Sequence, residues 1–585
     1  MISVTRSLAR RGIRDLRPFI HRPSCVSIGR SLTTARTSTS DPSKNFRLVG
    51  FLAVSLIFAA AGIHVWESST SEPSLAPSGK TFDFKIRFPA GVQTYTFPLK
   101  SDAEIEAMLH ENETSERIRR LGNPVIRWDR NWVGSNEPCE DRSAVDMIPR
   151  GPGAKHDHRG TGQAVASKVE EGSRDIMMFS VLDGHAGDAT SKLLASSLHP
   201  TIGLALASLQ AGHGPVMRVY GLKAWSSLFH PFAWMGKASW TPDNVILSIQ
   251  HAFLQLDENI CQTPIRLLSS VSTSTTSSPQ TTFSSPTQEF LTMAGPADSG
   301  SCAITTVVDA ENDDLYVALA GDCRAVAGWQ DGDGNWRCDV LTEDQMGETP
   351  REVERIRSEH PASERDMVIR GGRVQGGLQP TRAFGDAVYK WTSQEYNAVA
   401  TAFQSEGEKA RSQRPGNLTP PYVTAKPEVT YRKITPINGE MLRFVIMATD
   451  GRESNPSQPS CPIIDGLTVW DCLTSEEATL LVASHISHRT HSDISKTDLP
   501  KLFRLLPQPK DRLYPAEDLP GSGSRSSGSW VFEDDDNAAT HLIRNSIAGA
   551  DRVRRGELLS LTGKITRRVR DDVTVTVVFF GEQLG

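Results

Sequence analysis

Asp183, Gly184 and His185 close an apolar run that begins at Met178. A carboxylate, a bare backbone and an imidazole delivered at a strand tip can hold a cation beside a proton donor. The same tripeptide also suits an ordinary turn. Three further aspartates sit at the ends of apolar runs far along the chain: Asp322 after Val317–Gly321, Asp450 after Phe444–Thr449, and Asp571 before Val573–Phe580. Four strand-end carboxylates suggest one shared cluster of oxygen ligands for a hard metal ion.

These residues belong to an ordered series. Along the chain stand Glu140-Asp141, Asp183-Gly184-His185-Ala186-Gly187, Ser299-Gly300-Ser301, Gly321-Asp322-Cys323-Arg324, Arg382-Ala383-Phe384-Gly385-Asp386, Thr449-Asp450-Gly451 and Asp571-Asp572. The series resembles that of the metal-dependent serine/threonine protein phosphatases of the PPM type, also called type 2C, over residues 120 to 582 or so. The resemblance implies an α+β fold, a four-layer sandwich of two mainly antiparallel β-sheets flanked by helices. It also implies two Mg2+ or Mn2+ ions, with a third, weaker one at Asp322. Asp183 would bridge the two metals, Glu140 and the Gly184 carbonyl would serve one, and Asp450 and Asp571 the other. Asp141 and Asp572 would orient metal-bound waters. His185 would be the general acid for the seryl or threonyl leaving oxygen, and Arg382 and Asp386 would shape a structural loop.

Phosphomonoester oxygens repel a nucleophile, so a paired metal site that activates water and neutralises charge suits this chemistry. The series departs from the family in two places. Asn136 stands where many members carry a phosphate-binding Arg, although Asn136 with Pro138, Gly376–Asp386 and Asp536–Asn545 resemble the pyruvate dehydrogenase phosphatase branch, whose substrate is the E1 subunit. The family's T-D-G-L-W-D is also interrupted: between Gly451 and Trp470-Asp471 lie Arg452 to Val469, seventeen residues more than the family pattern holds. Arg452-Glu453-Ser454 can be encoded with a splice donor and Leu467-Thr468-Val469 with an acceptor. Removing the intervening 51 nucleotides, three for each of the seventeen residues, restores Gly-Leu-Trp-Asp. The segment reads as a translated intron or as a genuine surface loop.

Helical spacing is expected from Asp188 to Leu198 and from Pro350 to His360, and core strands over Leu315–Ala320 and Thr574–Phe579. Motifs spread from Glu140 to Asp572 argue for one enlarged catalytic domain, 120–585, despite a length of 585 residues. Disordered insertions are expected near 269–287, 452–469 and 521–529, which are Ser-, Pro- or Gly-rich. The eight cysteines are scattered without paired spacing, which excludes a zinc knuckle or disulfide framework and leaves small core residues.

Residues 1–47 carry a local charge of +8 in a chain of net −6, an Arg- and Ser-rich composition that predicts mitochondrial targeting. Leu48–Trp66 is apolar on every face and long enough to span a bilayer, so one transmembrane helix is expected, followed by a tether and N-terminal extension over 67–119. The protein is therefore expected in the mitochondrial inner membrane, with the body on either side. The acidic body excludes general nucleic-acid binding, and the expected partner is a phosphoprotein, with pyruvate dehydrogenase E1 as the candidate. The competing reading is a pseudophosphatase that serves as a protein-binding module. Against it stand the clustered carboxylates, which repel one another without a cation.

Overall fold

The computed structural model describes residues 79–149, 175–214, 238–273, 286–450, 468–487, 493–506 and 528–581, apart from 89–90, 121, 136, 406, 436–438 and 534. The predicted targeting segment and membrane span lie outside these residues, as do 274–285, 451–467 and 507–527 within the expected insertions or near them. Among the described residues no helix is long and apolar enough to cross a membrane.

In chain order the strands are β1 (Thr81–Phe88), β2 (Gly91–Pro98), β3 (Thr114–Arg117), β4 (Val125–Val133), β5 (Arg142–Ile148), β6 (Ile176–His185), β7 (Gly300–Asp309), β8 (Asp314–Ala320), β9 (Arg324–Gln330), β10 (Trp336–Val340), β11 (Ile369–Arg370), β12 (Arg373–Val374), β13 (Phe384–Gly385), β14 (Glu428–Lys433), β15 (Met441–Ala448), β16 (Ile494–Ser495), β17 (Ser529–Trp530) and β18 (Val573–Phe580). One sheet runs β10-β9-β15-β18-β4-β3 and the other β14-β8-β7-β6-β5, with β13 added on β7. All of their pairings are antiparallel.

Side chains that alternate along these strands build three layers of core, because successive residues point to opposite faces. On β6, Met177, Phe179 and Val181 face inward to meet Met447 and Val578 of the other sheet. Its alternate residues Ile176, Met178 and Leu182 face the helices Ala189–Gln210 and Pro242–Thr273. On β18, Val573, Val575, Val577 and Phe579 face the helices Ser475–Ser487 and Ala538–Ile547. The expected four layers are thus present, and so are the predicted helices, at Ala189–Gln210 and Pro350–Glu359.

Boundaries differ from expectation in two respects. The segment read as a tether and extension, 67–119, is ordered from 79 onward: β1 and β2 form a hairpin, and β3 is an edge strand of the first sheet, upstream of the expected domain start at 120. Ser101 caps the helix Asp102–His110, its hydroxyl accepting from the Glu104 amide while Glu104 accepts from the Ser101 amide, and Ile105 and Leu109 then bury against the core. The second difference lies in the expected insertion near 269–287. One helix reaches Thr273 on one side and another begins at Pro286 on the other, so helices take in the ends of that range.

Candidate functional site

β6 delivers Asp183, Gly184 and His185 opposite Cys302, Ser301 and Gly300 of β7. The chain then turns through Ala186 and Gly187, both at positive φ, into the helix Ala189–Gln210. Gly184 cannot be replaced without displacement of backbone: a Cβ there would lie 2.2 Å from the Glu140 carbonyl oxygen. That close approach sets Glu140 beside the Asp183 strand, and the Glu140 carboxylate accepts from the Gly187 amide at 2.7 Å. Asp572 holds the same turn from below, accepting from the amides of Ser135 and Glu140 at 2.5 and 2.7 Å. Its carboxylate thus holds the backbone of the turn that carries Glu140.

Asp322 follows β8 at Gly321, whose φ of 124° and whose contact with Cys302 exclude a side chain. Asp450 follows β15 through Thr449, and Asp571 precedes β18. Asp183, His185, Asp322, Asp450 and Asp571 line one cleft. Glu140 reaches its edge through Arg567, which pairs with it at 3.4 Å and also with Asp571. Asp141 is buried behind, accepting from Thr574 Oγ1 at 2.8 Å.

The electrostatics of this cleft are those of crowded anions. Burial, followed by the charges of Asp141, Asp322 and Asp571, pushes the Asp183 carboxyl well above its ordinary range. Burial and then the charges of Asp471, Asp344 and Asp322 do the same to Asp450. Asp141 is pushed up to about 7 by burial and Asp572, and Asp322 to about 6, chiefly by burial. An all-oxygen set in which Asp183, Asp322 and Asp450 resist ionisation fits a hard divalent cation. Among the described residues no three such side chains converge on one point closely enough to hold a metal unaided. The carboxylates surround the cleft, leaving the rest of any coordination shell to water.

His185 has a partner that sequence reasoning had assigned to a structural loop. Its Nε2 lies 2.6 Å from Asp386 Oδ2, and Arg411 donates to Asp386 Oδ1 at 2.6 Å. Burial alone would raise the Asp386 carboxyl, but the positive charges of His185 and Arg411 hold it well below the ordinary carboxylate range. Arg382, from the same motif, does support the loop: it donates to Glu352 and to the Lys426 carbonyl. Arg411 and Arg567 were missed by sequence reasoning. Arg567 had one available signal, its place one helical turn before Asp571. Cys302 and Cys323 are buried beside the site with thiols pushed up by burial, as inert core residues would be.

A model of the family described as protein phosphatase 2C matches residues 247–452. The mitochondrial [pyruvate dehydrogenase [acetyl-transferring]]-phosphatase 1 of Saccharomyces cerevisiae is 32% identical over 494 residues, covering 82% of this chain and 73% of that protein. A protein phosphatase 2C homologue of Schizosaccharomyces pombe is 31% identical over 92% of this chain and 98% of its own length. The human mitochondrial [pyruvate dehydrogenase [acetyl-transferring]]-phosphatase 2 is 28% identical over 83% of this chain and 84% of its own.

Proposed function

The chain belongs to the protein phosphatase 2C family and is a protein serine/threonine phosphatase, and on that premise we propose how its residues divide the work and what they act on. The carrying observation is that Asp183, His185, Asp322, Asp450 and Asp571, from four separate strand ends, line a single cleft. Asp183, Asp450, Asp571, Glu140 and the Gly184 carbonyl would hold two Mg2+ or Mn2+ ions, with Asp322 for a third. Such ions supply a nucleophile from water near neutral pH and offset charge on the phosphoryl oxygens. Asp141 and Asp572 hold the ligand-bearing backbone and strands in register.

His185 donates the proton that the seryl or threonyl oxygen takes as the phosphorus–oxygen bond breaks. Because Nε2 faces Asp386, the proton delivered is the one on Nδ1. Asp386 fixes the ring and favours its protonated form. A protein-binding module without catalysis would gain nothing from carboxylates that raise one another's affinity for protons, so the pseudophosphatase reading is not favoured.

The substrate we propose is phosphorylated pyruvate dehydrogenase E1, supported by the named activity of the yeast and human relatives. The relatives' location supports a mitochondrial enzyme, with residues 1–47 directing import and 48–66 anchoring it in the inner membrane. Deleting residues 1–66 should abolish mitochondrial import and leave a soluble body. Import of the truncated protein would sink the targeting assignment. For the activity, the full chain should release phosphate from a phosphoseryl E1 peptide only with Mn2+ or Mg2+ present. Asp183→Asn should lower turnover by about 10² or more at saturating metal. Activity within tenfold of the parent would overturn the proposed site.

A further inference from the structure

The cleft must admit a phosphoryl dianion past crowded carboxylates. Four arginines line the same cleft, Arg373, Arg411, Arg414 and Arg567. Arg411 holds Asp386 and the Asp298 carbonyl, and Arg373 holds the Gly377 carbonyl and Gln379. Both are bound into the loops that carry them. Arg414 lies against Gly377 and is hydrogen-bonded to Tyr389.

Arg567 is placed differently. It stands in the 3-10 turn Gly563–Arg568, and its guanidinium bridges Asp571 at the head of β18 and Glu140 on a separate turn. Its anionic partners are thus residues of the acidic cluster itself. Its side chain is 23% exposed, enough for a ligand to reach it. A guanidinium presents paired donors that match two oxygens of a phosphate as well as they match a carboxylate. We propose that Arg567 binds the phosphoryl oxygens of the substrate, exchanging carboxylate contacts for phosphate contacts and setting the affinity for the phosphorylated residue. This rests on the phosphatase reading above.

The test pairs kinetics with binding of inorganic phosphate, followed by calorimetry on the full chain at saturating Mn2+. Arg567→Gln should weaken phosphate binding about tenfold or more, the loss of a charge-assisted pair. It should also raise KM for a phosphoseryl peptide by more than it lowers kcat, and Arg567→Lys should recover part of both. Phosphate binding unchanged in Arg567→Gln would overturn the inference, and so would a fall in Mn2+ affinity with phosphate binding intact, or a parent that binds no phosphate. If the parent hydrolyses no phosphomonoester, the phosphatase reading fails. Binding of inorganic phosphate is measured without turnover, so the role of Arg567 is decided either way.

Discussion

His185 and Asp386 are 201 positions apart yet share a 2.6 Å hydrogen bond. Asp386 pays for its place in backbone strain, standing at φ 47°, a left-handed conformation that Asp and Asn tolerate better than most residues. Asp386→Asn is therefore the informative change, since Asn suits the same backbone while removing the charge that favours a protonated His185. On a phosphoseryl peptide, whose leaving alkoxide needs a proton, His185→Ala should lower kcat by about 10² to 10⁴, and Asp386→Asn by a smaller factor in the same direction. On an aryl phosphate, whose leaving group departs unprotonated, both losses should shrink. Equal losses on the two substrates would rule out His185 as the proton donor. The aspartates that line the cleft were visible in the sequence because each borders an apolar run. The role of Asp386 was not, because a contact across 201 residues leaves no local period to read.

At the scale of elements, the loop bearing Asp386 is tied to the helix Pro350–Glu359 by one carboxylate. Glu352 is 2% exposed and accepts from Arg382, Arg355 and Thr381 Oγ1. Although burial opposes ionisation, hydrogen bonds from Arg382 and Arg355 hold Glu352 at about 2, against an ordinary 4.5. A carboxylate with a depressed folded pKa stabilises the fold at pH above its ordinary value, and that contribution disappears as pH falls through the depressed one. Glu352→Gln removes the nearer anion of buried Arg382, which keeps Glu428 at 3.2 Å, so it should lower unfolding free energy at pH 7 by about 3 kcal/mol. The gap between parent and variant in urea denaturation should narrow progressively between pH 5 and 2. A gap that stays constant or widens over that interval would show that Glu352 does not carry the ion pairing assigned to it. Reduced activity accompanying the loss would place Arg382 as a support for the Asp386 loop.

Across the whole molecule, the sandwich was expected through the family resemblance of the motif series, and the single cleft because carboxylates at strand ends spread from residues 140 to 572 suit one shared site. The N-terminal extension was less legible. Its first strand alternates Phe82, Phe84, Ile86 and Phe88 with Asp83, Lys85 and Arg87, but it follows a Ser- and Pro-rich stretch, and its helix is secured by Arg544, which pairs with Glu106 across 438 positions as well as with Glu533 and Asp535 nearby. The interruption after Gly451 is a question about the chain as a whole. Trp470, beyond the interruption, is 2% exposed, donates from Nε1 to the Ala448 carbonyl at 3.1 Å, and lies beneath the Arg324 guanidinium. The Asp471 charge acts directly on Asp450. Trp470 and Asp471 thus return to the Asp450 turn, with Thr468 and Val469 from the end of the longer segment buried beside them and Thr468 Oγ1 donating to Asp471 at 3.0 Å. A translated intron predicts messenger RNA lacking 51 nucleotides, three for each of seventeen extra residues. The shortened protein would close the same turn with a shorter loop, gaining about 1 to 2 kcal/mol of stability from loop entropy, and would bind Mn2+ more tightly. Sequencing the transcript decides the matter: uniform retention of the segment, with full activity of the long form, would establish it as a genuine loop that the fold accommodates.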